Sequence, residues 1–413
     1  WITIFFITYS IIDSITFTKY FSIVPKVLRI INRFNLGGPT YNAAYLTKYM
    51  APDFETLLVG GMHDESEGSS KFILEELGIE SVVIPEMKRA IDIKQDLIAY
   101  RKVKKLIKDF KPDIVHTHAS KAGALGRIAA HQLGVKAIVH TFHGHVFHSY
   151  FGTLKTQFYK NIERFLAKKS TKIIAISEIQ KKELSVNHQI CPEEKISVIP
   201  LGFDLSKFKE NQDEKRKRFR NEWKVTKDEI AIGIIGRLVP IKDHHFFIDV
   251  IKSVAQKTNQ KLRFFIIGDG DLKDSIMSYV QEKDLSYSNS KEIVELITFT
   301  SWIKEVDVAN AGLDIICLCS KNEGTPVSLI EAQSSLKPIV STRVGGIDNV
   351  VIENKTALLS EVGDIESYSN NLLKLIEDKS IRNEFSNAGN HIYSKFSYQR
   401  LIKDMDDLYK RVN

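Results

Sequence analysis

Short apolar runs alternate with longer amphipathic stretches along most of this chain, and the rhythm starts twice. From Lys26 the runs "KVLRIIN", "TLLVGG", "SVVIP", "DIVHTH", "AIVHTFH" and "KIIAIS" read as strands, with helical patterns between most of them. The rhythm restarts at "IAIGIIGR" and continues through "RFFIIGDG", "ELITFTS", "DIICLCS", "PIVST" and "TALLS". Runs that are apolar nearly throughout, rather than at every second residue, belong to parallel strands covered on both faces. The pattern predicts an α/β chain of two doubly wound, Rossmann-like domains. A chain of 413 residues with 43% hydrophobic content can supply two such cores.

The junction is expected at "ISVIPLGFDLSKFK", which divides a first domain over 26–204 from a second over 205–394. Beyond it the charged stretch "ENQDEKRKRFRNEWKVTKDE" precedes the first strand of the second domain. The last helical stretch, within 395–413, follows a second domain that is already complete and is expected to pack back on the first. Residues 1–25 form an apolar extension with only Asp13 and Lys19 as charges before Pro25. The extension is too interrupted for a membrane span and lacks the basic start of a signal peptide. Whether it belongs to the functional protein, or meets a membrane, stays open at this point.

The net charge of +7 is unevenly placed: 27 of the 58 basic and 20 of the 51 acidic residues lie at or before Asp204, leaving 31 of each beyond it. Part of the excess is "LIAYRKVKKLIKDFKPD", where Leu97, Tyr100, Val103, Leu106 and Ile107 recur at helical spacing and define an apolar face. Arg101, Lys102, Lys104, Lys105 and Lys108 fill the other side. That basic face reads either as an ordinary solvated surface or as one that rests on anionic lipid. Nothing in the pattern calls for nucleic acid. The cysteines Cys191, Cys317 and Cys319 form neither a disulfide framework nor a metal motif, and the pair in "LDIICLCS" alternates like buried strand residues. A reducing, cytoplasmic setting fits.

Ligands of open parallel sheets sit beyond the carboxyl ends of the strands, so the residues just after each strand carry the functional information. After the first strand comes "NLGGPT", whose Gly37 and Gly38 allow close backbone approach and present amides at a helix start. After the first strand of the second half comes "GRLVPIK", which places Arg237 and Lys242 where a guanidinium fork and a point charge suit a diphosphate. After "LDIICLCS" comes "KNEGTPVSLIE": Glu323 on the turn, Glu331 about two turns along the following helix. Two carboxylates so placed address different parts of one elongated ligand, and an ionised carboxylate suits the vicinal hydroxyls of a ribose. His143 follows an apolar strand on the Gly-containing turn "TFHGH". His116, His118 and His145 read equally as functional or as structural histidines. Lys121 and Arg127 in "SKAGALGR" are candidates for acceptor or phosphate contact, with helix-surface charge as the plain alternative. Asp269 and Asp271 in "GDGD" spell a D-x-D metal motif, but the segment reads as a Gly-rich turn between a strand and a helix.

Taken in order, "NLGGPT", "KPDIVHTHASKAGALGRIAA", "HTFHGHVF", "IPLGFDLSKF", "GRLVPIK", "GDGDL" and the Glu-x7-Glu pair resemble the retaining nucleotide-sugar glycosyltransferases of family 4. The resemblance runs from Lys26 to the end and implies the GT-B fold, two Rossmann-like domains facing a central crevice. It implies that Arg237 and Lys242 clamp the donor diphosphate, that Glu331 holds the ribose and that Glu323 and His143 meet the transferred sugar. It places Gly38 near the phosphates, Trp302 and Ile303 by the base, and Gly268, Gly270, Gly324, Thr325, Pro326, Val327 and Ser328 along the donor. His118, Lys121, Arg127 and His145 fall on the acceptor side. The implied activity is a hexosyl transfer with retention, in cell-surface polysaccharide synthesis, from a UDP-sugar to a glycan or polyprenyl-linked acceptor, without metal or other cofactor. The implied location is bacterial cytoplasm, on the inner face of the membrane as a peripheral protein. A nucleotide-sugar 2-epimerase of the same fold would need no acceptor surface. A silent sugar-nucleotide-binding protein would bind without turnover.

Overall fold

The computed structural model describes residues 24–35, 38–62, 69–88, 90–144 and 153–413. Among them, strands β1 (Lys26–Arg33), β2 (Glu55–Gly61), β3 (Ser81–Val83), β4 (Ile114–His118), β5 (Ala137–Phe142), β6 (Lys172–Ala175) and β7 (Ile196–Val198) form one sheet in the order β3-β2-β1-β4-β5-β6-β7. A second sheet contains β8 (Glu229–Ile235), β9 (Lys261–Ile267), β10 (Tyr287–Ser288), β11 (Ile297–Ser301), β12 (Ile315–Leu318), β13 (Ile339–Thr342) and β14 (Ala357–Ser360), in the order β10-β11-β9-β8-β12-β13-β14. Pairing is parallel from β3 to β5 and throughout the second sheet. Each expected strand is present; the short β7, in the segment read as the junction, and the two-residue β10 had no counterpart among the expected strands.

The chain divides into two compact units: one holds residues up to Thr141 with Asn161–Ile173 and Asp406–Asn413, the other Phe142–Lys160 and Ile174–Met405. The last residues therefore join the first unit, and the division falls within the segment that leads to Asp204 rather than only at its end. The apolar extension lies outside the described residues up to Ile23.

The second unit shows why its strands read as uninterrupted apolar runs. Ile232, Ile234, Phe264, Ile266, Ile315, Cys317 and Cys319 pack into a core on one face of the sheet, while Ile235, Phe265, Ile267, Ile316 and Leu318 fill a core on the other. Successive side chains point to opposite faces, so a strand covered twice must be apolar at every position. Cys317 and Cys319 share one face, as their alternation requires, and burial pushes the Cys317 thiol up to about 12, which leaves it inert. In the first unit Leu28, Ile30, Val59, Val115 and Ile138 pack against Ala99, Val103 and Ile107 of the Ile93–Phe110 helix.

That helix begins where Asp92 accepts hydrogen bonds from the amides of Lys94 and Gln95 (3.0 and 3.1 Å), and it ends at Lys111 in the left-handed conformation. Leu97 does not share its core face: the side chain is 47% exposed. With 3.6 residues per turn, a residue six positions before Val103 sits about 120° around the axis, outside the stripe centred on residues 99, 103 and 107. Among the described residues no helix is long and apolar enough to cross a membrane.

Candidate active site

In the second sheet, growth reverses between β8 and β12, which lie side by side with Ile315 beside Ile232 and Cys317 beside Ile234. A doubly wound sheet opens its ligand crevice at such a reversal, since the connections on either side lead away from it. The two loops that leave β8 and β12 at their carboxyl ends are those of Arg237–Lys242 and of Glu323.

The β8 loop is shaped by its neighbour. The Gly236 amide donates to the Ile267 carbonyl and that of Leu238 to the Asp269 carbonyl, both at 3.0 Å, so the loop is zipped to the "GDG" turn after β9. Gly268 has φ +144°, and a Cβ on it would lie 1.9 Å from the Gly236 carbonyl oxygen; one on Gly270 would lie 2.6 Å from that of Leu238. Only glycine fits either place. Gly268 and Gly270 thus fix the course of the segment that carries Arg237, whose side chain is exposed. In the same turn Asp269 accepts from the Gly270 amide (2.9 Å) and from Lys273 (3.1 Å). Burial alone would raise its pKa, yet those donors hold the carboxyl below its ordinary value. Asp271 is exposed, and no cluster of three metal-ligating side chains occurs among the described residues.

Lys242 and Glu323 meet directly. The Lys242 ammonium lies 2.5 Å from Glu323 Oε1, which also accepts from Ser320 Oγ at 2.6 Å. An ammonium has three N–H groups, so this pairing leaves Lys242 able to reach a phosphate while Glu323 Oε2 stays open to a hydroxyl. The turn holding Glu323 is fixed from three sides. The Lys321 amide donates to the Ile241 carbonyl (2.8 Å), Thr342 Oγ1 donates to the Ser320 carbonyl (2.7 Å) and the Gly346 amide donates to the Glu323 carbonyl (2.9 Å). A Cβ on Gly345 would lie 2.0 Å from the Glu323 oxygen and one on Gly346 1.7 Å from that of Gly324. Sequence reasoning missed Ser320, Gly345 and Gly346. The signal was available in "STRVGG", a glycine pair just beyond the carboxyl end of β13.

Pro326 is extended and precedes the Val327–Ser334 helix, so the amides of Val327 and Ser328 stand at its start, where anions are favoured. Glu331 is the fifth residue of this helix, just over one turn from its beginning and not two. Its carboxyl group makes no hydrogen bond or ion pair with any described residue. Burial pushes its carboxyl up to about 7, against the pull of Lys207 and with a smaller push from Asp307. A desolvated carboxylate without a donor is a strong acceptor for a ligand hydroxyl. After β11, Trp302 is 53% exposed, a free indole face for stacking, and Ile303 packs on the core beneath.

His143 directly follows β5, and desolvation lowers its pKa to about 4, so its imidazole is neutral at physiological pH. Its carbonyl oxygen lies 4.0 Å from the position a Cβ on Gly324 would take, which brings the histidine segment to the Glu323 turn. In the first unit Gly38 opens the Gly38–Tyr49 helix, as the "NLGGPT" reading expects, while Gly37 lies outside the described residues. His118 is fully buried and stacks on His116 with ring centres 4.2 Å apart. Lys121 pairs with Asp96 at 2.6 Å. Arg127 is wholly buried, with Glu163 at 2.7 Å and the Gly123 carbonyl at 2.8 Å, so it is not a helix-surface charge and shows no face to an acceptor in this arrangement. Its side chain turned inward because the small residues of "AGALG" let the helix lie close to the sheet: a Cβ on Gly126 would meet Thr117 at 2.5 Å. His145 lies outside the described residues.

Residues 215–391 match the family described as Glycosyl transferases group 1, and residues 37–207 match Glycosyltransferase Family 4. An Escherichia coli protein, UDP-Gal:alpha-D-GlcNAc-diphosphoundecaprenol alpha-1,3-galactosyltransferase, is 30% identical over 335 residues, covering 80% of this chain and 84% of its own. The capsular polysaccharide biosynthesis glycosyltransferase CapM of Staphylococcus aureus is 29% identical over 79% of this chain and 84% of its own. Among solved structures, Anabaena HepE in complex with UDP superposes with a TM-score of 0.77 at 19% identity, covering 94% of this chain and 100% of that one.

Proposed function

The chain belongs to glycosyltransferase family 4, and from that premise we propose that it transfers a hexose from a UDP-sugar to a polyprenyl-linked glycan acceptor, with retention, in cell-surface polysaccharide synthesis. The observation that carries this reading is the group at the β8/β12 reversal: Arg237 exposed, Lys242 joined to Glu323, and a partly buried Glu331, whose carboxyl has no partner among the described residues, one turn into the Val327–Ser334 helix that follows the Glu323 turn. The galactosyltransferase relative acts on a diphosphoundecaprenol-linked sugar with UDP-Gal, and CapM is named for capsular polysaccharide synthesis, which supports this donor and acceptor class.

In the proposed reaction the donor diphosphate lies against Arg237, Lys242 and the amides of Val327 and Ser328. These fixed charges and dipoles stabilise the negative charge that grows on the departing phosphate, and this needs no metal ion. Glu331 accepts from the ribose hydroxyls. Glu323, oriented by Lys242 and Ser320, accepts from the sugar being transferred. Neutral His143 serves as a hydrogen-bond partner of that sugar rather than as a cation. No side chain here has to act as a covalent nucleophile; the departing phosphate can take the acceptor proton on the face from which it leaves. The protein works as a peripheral enzyme on the cytoplasmic side of an anionic membrane, with Arg101, Lys105 and Lys108 toward the lipid.

The test is transfer of labelled sugar from a panel of nucleotide sugars to polyprenyl-diphosphate-linked acceptors, with the product linkage read by NMR. An α-linked product from an α-linked UDP donor is expected. An inverted product, free epimer without acceptor, or donor binding with no turnover under any acceptor would each overturn the reading.

A further inference from the structure

The outer face of the Ile93–Phe110 helix is not uniformly basic. Ile93, Leu97, Arg101, Lys105 and Lys108 follow one another at intervals of three and four residues, so they form a single exposed stripe about 22 Å long. Its first half is aliphatic: Ile93 is 83% exposed, Leu97 47%, and beside them Ile91 is 71% and Ile98 38% exposed. Its second half is cationic. The acidic groups at the aliphatic end are turned to other work, Asp92 accepting from the helix amides and Asp96 binding Lys121. On the basic half Lys102 pairs with Glu86 and Lys105 with Asp109, which leaves Arg101 and Lys108 without ion-pair partners among the described residues. Four large aliphatic side chains grouped in water are unfavourable unless something covers them.

We propose that this stripe is a bilayer-docking element, in which Ile91, Ile93, Leu97 and Ile98 enter the acyl boundary of an anionic membrane while Arg101, Lys105 and Lys108 lie over its phosphate headgroups. Apolar tip and basic stem in one line fit an anionic interface, where each contribution is too small to hold a protein alone. The proposal rests on the reading of a lipid-linked acceptor and deepens it. The contact is made by aliphatic insertion as well as by charge.

The three cysteines are buried, so a single cysteine at Ile93 can carry an environment-sensitive dye in the full-length protein. With vesicles of phosphatidylglycerol and phosphatidylethanolamine, the dye at Ile93→Cys is expected to shift to the blue. Co-sedimentation should weaken in high salt yet leave a residue that Ile93→Glu/Leu97→Glu removes, with overall affinity at least tenfold lower. Arg101→Glu/Lys108→Glu should abolish the preference for anionic over neutral vesicles. No dye shift, or vesicle binding by Ile93→Glu/Leu97→Glu equal to wild type, overturns the proposal. So does a dimer in solution that this variant dissociates, since a second copy would then be the cover. Transfer to a water-soluble acceptor separates the two readings: all these variants should retain it. Wild type that transfers without docking defeats this inference alone, and wild type that docks without transferring to any acceptor defeats the enzymatic reading alone.

Discussion

A carboxyl group held at about 7 in the folded chain, as Glu331 is, couples folding and ligand binding to pH. Its folded pKa lies above the ordinary value of 4.5, so between these values the native state keeps a proton that the unfolded state has lost. Stability from this group is therefore lost as pH rises from 4.5 toward 7 and is flat beyond, a change of up to about 3 kcal/mol. Glu331→Gln should then be more stable than wild type at pH 8 and indistinguishable at pH 4, measured by urea unfolding across that range. The same substitution should weaken donor binding by roughly 1.5–3 kcal/mol, because the hydroxyls lose an ionised acceptor. It should also flatten a wild-type affinity that rises between pH 6 and 8. A variant less stable at pH 8, or a pH profile unchanged by it, would show that the carboxylate is not the strained group. Arg237 and Lys242 separate in a different way. Either alanine substitution should lower turnover about a hundredfold through loss of a cation from the leaving diphosphate, on the order of 3 kcal/mol. Arg237→Ala should leave stability within about 0.5 kcal/mol, since its side chain is exposed. Lys242→Ala frees Glu323 from its only ion-pair partner among the described residues and should shift the KM for the donor as well as kcat. Wild-type turnover in both variants would remove the clamp from the mechanism.

The loops that hold these side chains are built by interlock. Gly268 rests on Gly236, and Gly346 on Gly324, at distances that leave no room for a methyl group. Gly346→Ala should displace the Glu323 turn and destabilise by about 2–4 kcal/mol, and donor affinity should fall with it. Gly236→Ala is the control, since its Cβ would meet only the Lys242 side chain at an ordinary 3.7 Å. Equal stability of the two variants would mean that the loops yield to one another. The "GDGD" turn belongs to the same interlock, with Asp269 held by the Gly270 amide and Lys273. Transfer should accordingly survive exhaustive chelation. Activity that vanishes with chelator and returns with manganese would make the aspartates a metal site. The position of Arg237, Lys242 and Glu323 on loops beyond the carboxyl ends of β8 and β12 could be read from the sequence because each follows an apolar run. Ser320, Gly345 and Gly346 were harder, because they act through the backbone of other residues and that partnership is invisible until β12 and β13 lie side by side. Leu97 misled for a related reason: an apolar residue at helical spacing is not thereby on the face that meets the sheet.

Two sheets were legible except at the edge strands β7 and β10, since parallel strands covered on both faces leave an unmistakable apolar run. The partners of Arg29 were not. This arginine sits in the middle of β1 and is fully buried, and among the described residues no carboxylate reaches it. Its guanidinium donates to Thr47 Oγ1 at 2.9 Å and to the hydroxyl of Tyr409 at 3.0 Å, and that hydroxyl also lies 2.7 Å from His116 Nδ1. His116 in turn meets Thr141 Oγ1 at 2.8 Å through its other ring nitrogen. A residue four positions before Asn413 thus satisfies a cation on the first strand and a histidine on the fourth. Sequence alone could suggest that the last helix packs back, but not that its tyrosine supplies the missing partner for a buried charge. Tyr409→Phe keeps the ring that packs edge-on against Phe54, at 5.4 Å between centres, and deletes only the hydroxyl. Leaving a buried guanidinium N–H and an imidazole nitrogen short of a partner should cost about 2–3 kcal/mol, more than a neutral hydrogen bond on the surface. The loss should be local to the unit that contains residues 26–141 and 406–413. Amide hydrogen exchange is the appropriate measurement: peptides covering β1, β4 and the end of the last helix should exchange faster in Tyr409→Phe by a factor of about 30 or more, while those of β8, β9 and β12 keep wild-type rates. Unchanged exchange in β1 would mean that Arg29 finds water or another acceptor instead. A uniform increase in both sheets would mean that the two units do not unfold separately, and that the tyrosine stabilises the molecule as one cooperative body.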